Sequence, residues 1–414
     1  MFARVQLLLQ RTVAVATLIL LATTFAWSGS YKVLHSFNVK SMNPSSGLVA
    51  DKAGNGYGTT AAGGFHNGKG GTVYEISPTT GFHLIYGFSG PDGMQPQGNL
   101  TIDDAGNLYG TTAYGGSNSK SCNNQGCGTV FMLSPPTNGG AWTETALYSF
   151  SGEDDGGNPQ AGVILDSAGN LFGTTENGGN LQAGTVFELS EGDNGQWTET
   201  VIYSMSDGAF PLGGLTFDQL GNLYGTTSLF GGGAGTVFQL SPPQSGGTWT
   251  YDRLYSFGAQ GGNDGLSPAA GVVIDSSGSL YGTTTVGGDF NQGTVFELAP
   301  GQDGQWNESI LHSFAGGTSD GANPQAALVL DEAGNLFGTT LAGGGKGCFV
   351  GCGTVFQLSP SEGGQWVERH FSFPGSNHLG AQPTSSLLLN GKRIYGTTTR
   401  GGSQGSGVIF QISE

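Results

Sequence analysis

Apolar residues from about residue 31 onward come in short runs, and turn-forming residues interrupt every run. The runs are four to seven residues long, are rich in Val, Ile, Phe, Tyr and Thr, and are bounded by Gly, Pro, Asn, Asp or Ser. β-Branched and aromatic residues favour strands, whereas the bounding residues favour turns. Nowhere in this region do apolar residues follow the 3.6-residue period of a helix. The pattern therefore predicts an all-β protein.

One motif recurs seven times within this pattern, and its core is Asp-x-x-Gly-Asn-x-Tyr/Phe-Gly-Thr-Thr. A Pro precedes each motif, and a run similar to "GTVFEL" and another similar to "LYSF" follow it. Four strand-like runs in each of seven units, with a period near 55 residues, are typical of a β-propeller. The sequence thus predicts seven blades of four strands each. The aromatic position of the motif is filled by Tyr57, Tyr109, Phe172, Tyr224, Tyr281, Phe337 and Tyr395.

The order of the runs predicts how the ring closes. We label the strands of a blade A, B, C and D in chain order, so that the motif spans the A–B turn and strand B. The region begins on a D run at residues 31–37 and ends on a C run at residues 407–413. Since the last unit lacks a D run of its own, we expect residues 31–37 to supply the outer strand of the last blade. Such closure protects edges that would otherwise pair with other chains.

The first 26 residues follow a different pattern. Arg4 and Arg11 precede an apolar run over residues 13–22, and a small-residue cleavage site ends at Ala26. This order is typical of a secretory signal peptide, and the apolar run is short for a membrane span. We predict a signal peptide at 1–26, a single propeller domain at 27–414, and a secreted, periplasmic or cell-surface location. The alternative is an uncleaved N-terminal anchor.

Charge and composition narrow the range of partners. The chain has 30 acidic and 13 basic residues, for a net charge of −17, and 78 of its 414 residues are Gly. A surface of this sign repels the phosphates of nucleic acids and anionic lipids. Aromatic residues at fixed positions argue against a disordered glycine-rich chain. We expect a monomer whose partner is an extracellular ligand, glycan or protein, with no nucleic-acid partner and no membrane span after removal of the signal.

Four cysteines lie in two close pairs, both in B–C loops: Cys122 with Cys127, and Cys348 with Cys352. Even, clustered cysteines in an exported protein favour disulfides. A zinc site built from all four would have to join the second and the sixth blade across the mouth of the ring. We therefore predict two local disulfides.

The run "GNLYGTT", followed by Gly-Gly and then by "GTVF", resembles the GloVer tandem repeat of exported bacterial proteins, which are often described as choice-of-anchor proteins. The resemblance covers nearly all of residues 31–413. It implies export and propeller-like repeats, and it implies no particular activity. The Asp-x-x-Gly-Asn turn is also similar to that of NHL-type propellers, which are mostly binding scaffolds, although some related propellers are lactonases or lyases.

One regular feature of the D–A loops suggests a ligand site. Five blades carry an Asp at a fixed distance before the proline of this loop. The first and the seventh blade, which are neighbours across the closure, carry Lys40 and Leu379 at that position. We expect a lopsided acidic mouth, with Lys40 at its edge, that attracts a cation such as Ca²⁺ or a basic ligand. The alternative is that each Asp only forms its turn. In the other five blades the position belongs to an Asp-Gly-x-x-Pro pattern, at Asp92, Asp155, Asp207, Asp264 and Asp320.

Residues that recur in all seven blades are first of all fold residues, and no Ser/His/Asp or histidine-cluster spacing is visible. We therefore expect a binding or scaffold protein for an extracellular glycan, cation or protein, with no catalytic residue, cofactor or metal centre. One alternative is a propeller enzyme, such as a lactonase, lyase or glycan hydrolase with its site at the channel mouth. Another is a purely structural surface-layer component. One-off His, Glu or Lys residues that converge would favour an enzyme, whereas the inward A strands here are apolar and alike.

Overall fold

The computed structural model describes residues 25–26 and 29–413, apart from 39, 65–67, 118–120, 138, 207–209, 229–233, 245, 303, 346 and 376–377. Within these residues, seven antiparallel sheets of four main strands follow one another along the chain. Each sheet is one blade, and the blades are arranged as a β-propeller. The predicted fold class is confirmed, including the number of blades and strands.

The strands of each blade pair in the order A, B, C, D, with the short strand A innermost. Strand A comprises Val49–Ala50, Thr101–Ile102, Ile164–Leu165, Thr216–Phe217, Val273–Ile274, Val329–Leu330 and Leu388–Asn390. Strand B comprises Gly56–Thr60, Leu108–Thr112, Leu171–Thr175, Leu223–Thr227, Leu280–Thr284, Leu336–Thr340 and Arg393–Thr398. Strand C comprises Thr72–Ser77, Thr129–Ser134, Thr185–Glu191, Thr236–Ser241, Thr294–Pro300, Gly351–Pro360 and Val408–Ser413. Strand D comprises Gly81–Gly87, Thr143–Ser149, Trp197–Ser204, Thr250–Ser256, Trp306–Ser313, Trp366–Ser372 and, for blade 7, Ser30–Ser36.

A few short elements lie outside this plan. Phe25–Ala26 runs parallel to strand D of blade 6 and adds an outer edge to that blade. Two loop pairings join Ser41–Met42 to Ala62–Gly63, and Gly321–Ala322 to Ala342–Gly344. Ser121–Asn124 forms a single turn in which Cys122 and Asn123 have left-handed backbone angles. No described helix has the length and apolar character needed to cross a membrane.

The N-terminal strand closes the ring, as the order of the runs predicts. Ser30–Ser36 pairs antiparallel with Val408–Ser413, and Tyr31 lies opposite Ile412 while Ser36 lies opposite Val408. The last blade therefore takes strands A, B and C from one end of the chain and strand D from the other. Of the predicted signal peptide, residues 1–24 lie outside the described residues, and the remaining two form the edge strand on blade 6.

The repeated Asp holds the A–B turn together. In blade 1, Asp51 Oδ1 accepts hydrogen bonds of 2.9 Å from the backbone N–H groups of Ala53 and Asn55, while Oδ2 accepts bonds from the Asn55 amide at 2.8 Å and the Tyr57 hydroxyl at 3.1 Å. Partial burial raises the pKa of Asp51, but these hydrogen bonds outweigh it and hold the pKa below its ordinary value. Because both oxygens have partners within the turn, the motif is explained as a fold element.

A glycine in strand B lets an aromatic ring of strand C lie directly across it. A Cβ atom on Gly173 would lie 2.5 Å from Cζ of Phe187, which is closer than real Cβ contacts come. Phe187 is fully buried and packs edge-on against Phe150 of the preceding blade, with ring centroids 5.2 Å apart. Each such aromatic cluster joins two neighbouring blades, so the core of the propeller lies between blades.

The Thr-Thr pair at the end of strand B connects strands and blades. The second threonine bonds within its own blade, as Thr112 Oγ1 does to Thr129 Oγ1 at 2.8 Å. The first threonine donates to the backbone of the next blade, as Thr111 does to the Ala161 carbonyl at 2.7 Å. In blade 7 the same hydroxyl, on Thr397, reaches the Ser46 carbonyl at 3.0 Å across the closure. These buried hydroxyls have partners, which removes the need for a catalytic explanation.

Candidate functional site

All seven blades contribute to a cavity of about 780 Å³ at the centre of the ring. Every blade contributes the segment that follows the proline of its D–A loop and leads into strand A, and blade 3 adds Glu176, which directly follows its strand B. A cavity on the axis of the ring is a common place for propeller ligands because loops from every blade converge there. We call this space the axial cavity. Its wall consists of Ser45 and Glu176 together with residues 97–101, 160–164, 212–216, 269–273, 325–327 and 384–386.

Amide side chains occupy one position of the wall in three blades. Gln97, Gln160 and Gln325 each follow the proline directly, whereas the other blades place Leu, Ala, Thr or Ser there. The Gln160 amide donates a 2.7 Å hydrogen bond to Oε2 of Glu176. Glu176 is the one ionisable residue of the wall in the described part of the chain. The wall therefore mixes apolar side chains with hydrogen-bonding groups, and most of its hydrogen-bonding side chains are neutral.

Tight backbone packing holds this wall in place. A Cβ on Gly162 would lie 1.9 Å from the carbonyl oxygen of Asn99 in the neighbouring blade, and a Cβ on Gly98 would lie 2.1 Å from the backbone N of Gly162. The Asn99 side chain accepts a 2.7 Å hydrogen bond from the backbone N–H of Gly47 in the preceding blade. The inner ring thus presents a preformed surface, which lowers the entropy lost when a ligand binds.

The aspartates of the D–A loops are bonded to their own loops. Asp92 accepts hydrogen bonds from the backbone and hydroxyl of Ser89, both at 2.9 Å, and from the Tyr86 hydroxyl at 2.6 Å. Asp155 accepts the same kinds of bonds from Ser151 and Tyr148. None of the four described aspartates belongs to the wall of the axial cavity. Asp92 and Asp155 thus stabilise their own turns, and the part of these aspartates in ligand binding stays a prediction.

The remaining predicted site residues lie apart from one another. Asp264 accepts a 2.9 Å bond from Tyr255, and Asp320 lies beside His312. Lys40 is exposed, and its backbone N–H donates to the Asn38 side chain at 2.9 Å. Asp207 falls outside the described residues. The structure brings none of these side chains together with another of the predicted set.

Instead, three of the aspartates face a glutamate on strand D of the next blade. Burial, together with the charge of Asp92 at the first site, raises the pKa of Glu144 to about 7, and Glu199 and Glu308 behave in the same way beside Asp155 and Asp264. One oxygen of each glutamate is buried without a hydrogen-bond partner among the described residues. Sequence reasoning did not find these pairs because their members lie in different repeats.

The cysteine prediction is confirmed. Cys122 bonds to Cys127 and Cys348 bonds to Cys352, with Cα separations of 5.3 and 5.2 Å, and no free cysteine lies in the described part of the chain. Each disulfide closes a short loop on the B–C side of its blade. A Cβ on Gly152 would lie 2.6 Å from Cys127 Sγ, so the first disulfide also packs against the following D–A loop.

The sequence shows no histidine-cluster spacing, but the fold brings two histidines close together. His312 and His370 lie on strands D of blades 5 and 6, which are in contact, and both approach Asp320. These two histidines could have been found from the sequence by comparing equivalent positions between repeats. The other described blades carry Tyr, Phe or aliphatic residues at most of these positions.

Seven four-stranded blades around an axial cavity define the chain as a β-propeller. The chain belongs to the Gloeobacter/Verrucomicrobia repeat family, whose model matches residues 22–232, 120–263 and 232–414. The predicted family is thereby confirmed. No curated protein sequence is significantly similar to this chain.

Three solved structures share the fold at low identity. An ancestral GH74 enzyme is 13% identical with a TM-score of 0.54, and the match covers 91% of this chain and 48% of that one. The polysaccharide lyase Uly1 is 13% identical with a TM-score of 0.51 and coverages of 95% and 94%. The AfRom2 CNH domain is 8% identical with a TM-score of 0.52 and coverages of 93% and 99%. At these identities the likeness concerns the propeller fold alone.

Proposed function

We propose that this protein is an exported binding scaffold whose axial cavity takes a neutral, hydroxyl-rich ligand such as a glycan. The observation that carries the proposal is the wall of the cavity. Gln97, Gln160 and Gln325 offer amides that can both donate and accept hydrogen bonds, and Thr and Ser hydroxyls lie on other blades. Sugars present hydroxyl groups, each of which needs both a hydrogen-bond donor and a hydrogen-bond acceptor as a partner. A cavity of about 780 Å³ is in the range that holds a small ligand.

Export is supported by separate features. Two disulfides favour an oxidising compartment. The basic and apolar pattern of the first 26 residues supports a cleaved signal. We expect N-terminal sequencing of the protein from its native host to begin at Trp27, in the periplasmic or secreted fraction. Recovery of intact chains from the cytoplasm alone would contradict this part of the proposal.

Binding is tested with a defined set of probes on the purified protein. Isothermal titration with neutral oligosaccharides (cellohexaose, maltoheptaose and mannohexaose) is compared with titration of an acidic one, oligogalacturonate. We expect at least one neutral probe to bind with a single site, and we expect the acidic probe to bind poorly because the protein carries a net charge of −17. Binding of the acidic probe alone, or of no probe, would contradict a neutral glycan site.

A propeller enzyme is the second candidate, and Glu176 is the observation in its favour. A lone carboxylate that accepts a hydrogen bond from Gln160 is a one-off feature of the cavity wall. Most glycoside hydrolases use two carboxylates across the scissile bond, and the described wall offers one, which favours binding over hydrolysis. Product analysis of the same oligosaccharides after prolonged incubation tests this. New reducing or unsaturated ends that disappear in Glu176→Gln would favour an enzyme.

A further inference from the structure

The interface between blades 5 and 6 breaks a pattern that three other interfaces keep. At each of those three, a Tyr near the end of one strand D donates to the Asp of the following loop, and a Glu on strand D of the next blade lies beside that pair. Two substitutions by histidine occur where blades 5 and 6 meet. The three regular sets are Tyr86, Asp92 and Glu144; Tyr148, Asp155 and Glu199; and Tyr255, Asp264 and Glu308.

The first substitution is His312, which stands where those interfaces have Tyr. The second is His370, which stands two residues after Glu368 and pairs with Phe356 of strand C. Its equivalents, opposite the corresponding Phe of strand C, are Ala146, Val201 and Ile310. Blade 7 also carries a histidine, His35, at the position of His312. Among the described residues, however, only the interface of blades 5 and 6 places a second histidine, His370, beside an Asp and a Glu.

The four side chains converge. His312 Nε2 lies 3.3 Å from Oδ2 and 3.4 Å from Oδ1 of Asp320. His370 Nδ1 lies 2.8 Å from Oε1 of Glu368. One donor atom each of Asp320, Glu368 and His370 lies within 4.8 Å of the others, and no second group of this kind occurs among the described residues. The side chains of all four are between 10% and 21% exposed.

We propose that His312, Asp320, Glu368 and His370 form a binding site for a divalent transition metal ion, with Zn²⁺ as the best fit. Two imidazoles and two carboxylates are donors that Zn²⁺ takes in four-coordinate sites. Ca²⁺ and Mg²⁺ fit less well because they prefer oxygen ligands. In a tetrahedral site the donor atoms lie roughly 3.3 Å apart, so Zn²⁺ binding requires the side chains to close inward from their present spacing.

A closed set of four protein donors indicates a structural site, because catalytic zinc keeps a position for water. The donors come from strand D and the following loop of blade 5 and from strand D of blade 6. The ion would therefore tie two neighbouring blades together at their outer edge. This site is independent of the axial cavity and of the function proposed for it.

The competing account is an ion pair without metal. The hydrogen bond that His370 donates to Glu368 raises the pKa of His370, although burial opposes it, and a protonated imidazole between two carboxylates needs no further partner. In that case the histidines would replace a tyrosine and an aliphatic residue without gaining a ligand. The two accounts differ in whether the protein binds one equivalent of Zn²⁺.

The test is a titration of the tag-free, full-length protein with ZnCl₂ after treatment with EDTA and dialysis. We expect one Zn²⁺ per chain with micromolar or tighter affinity and a rise in melting temperature on binding. The variants His312→Tyr and His370→Ile place at each position a residue that an equivalent blade already carries. Each should weaken Zn²⁺ binding by roughly 100-fold or more while melting close to the wild type in EDTA.

His83→Ala serves as the matched control, because His83 is exposed on strand D of blade 1, and it should bind Zn²⁺ as the wild type does. Substoichiometric or absent Zn²⁺ binding by the wild type would overturn the proposal in favour of the ion pair. Stoichiometric binding that both histidine variants retain would overturn it as well, since the ion would then lie elsewhere. Because the two variants are compared in EDTA first, a misfolded variant is recognised before its binding is interpreted.

Discussion

At the scale of single residues, the propeller holds two groups of carboxylates with opposite behaviour. Three aspartates of the A–B turns, Asp51, Asp218 and Asp275, have lowered pKa values because hydrogen bonds to the charged form outweigh partial burial. Glu144 and its equivalents have pKa values of about 7 because burial and a neighbouring Asp disfavour the charge. The two groups make the stability of the fold depend on pH in opposite directions.

We expect stability to be greatest near about pH 5 and to fall on either side. A glutamate whose folded pKa is raised contributes stability that is complete below its ordinary pKa of 4.5 and is lost as the pH rises through about 7. An aspartate whose folded pKa is lowered contributes stability above its ordinary pKa, and that contribution is lost as the pH falls. Melting temperatures measured from about pH 2 to pH 8 check both sides of this profile.

Replacement of the three glutamates tests whether they cause the loss of stability above about pH 5. The variant Glu144→Gln/Glu199→Gln/Glu308→Gln should lose less stability than the wild type between pH 5 and pH 8, because the groups that ionise there are absent. A control variant carries Gln at the exposed Glu153, Glu332 and Glu362, and it should keep the wild-type slope. Equal slopes in all three proteins would show that the buried glutamates do not cause the pH dependence.

The glycines of strand B lead to a second prediction at the residue scale, about the stability of the fold. Gly173→Ala should destabilise the protein by about 1–3 kcal/mol, because its Cβ would lie 2.5 Å from the fully buried ring of Phe187, which would have to shift within the core. Gly140→Ala is the matched control, since Gly140 has no neighbour within 4 Å and no strained backbone angle, and it should change stability by less than about 0.5 kcal/mol. Urea unfolding of both variants measures the difference.

At the scale of elements, the N-terminal strand matters most because it joins the two ends of the chain. Deletion of residues 1–37 leaves Val408–Ser413 without its outer partner and removes the Tyr31 ring, which stacks on Phe371 at 4.9 Å between ring centroids. We expect a clearly lower melting temperature than for a control that lacks only residues 1–28. Equal melting temperatures would mean that the ring does not depend on this closure.

The disulfides are elements of a second kind, since each closes a loop with a sequence separation of four or five residues. Loop-closure entropy for so short a loop is worth about 2 kcal/mol. We expect Cys348→Ser/Cys352→Ser to lose about that much stability in urea unfolding, with the Cys122–Cys127 disulfide intact. A thiol assay of the denatured, unreduced wild type should find no free thiol, and four free thiols would contradict the pairing.

At the scale of the whole molecule, the fold was predictable from the sequence because every blade repeats the same sequence motifs in the same order. The Asp turn, the Gly beneath a Phe and the Thr pair recur in register, so the number of blades and the closure at residues 31–37 followed from their order. The site was less predictable. The Asp-Gly-x-x-Pro pattern drew attention to aspartates that stabilise loops, whereas the wall of the axial cavity begins just after the proline.

The histidine cluster shows why contacts between blades could not be predicted from the sequence. His312 and His370 belong to different repeats, and strand pairing places each one at the same blade interface as Asp320. Contacts between blades depend on the rotation from one blade to the next, which no local pattern encodes. Positions that depart from the repeat are therefore best compared after the blades have been placed in space.

The most direct test of the account is the affinity of one bound neutral oligosaccharide for three proteins: the wild type, Gln160→Ala and Asp155→Asn. Gln160 belongs to the wall of the axial cavity, whereas Asp155 lies in the D–A loop that leads to it and is bonded to that loop. The account predicts at least a tenfold loss of affinity for Gln160→Ala and an unchanged affinity for Asp155→Asn. Wild-type affinity in Gln160→Ala, together with weakened binding in Asp155→Asn, would contradict it and place the ligand at the loops.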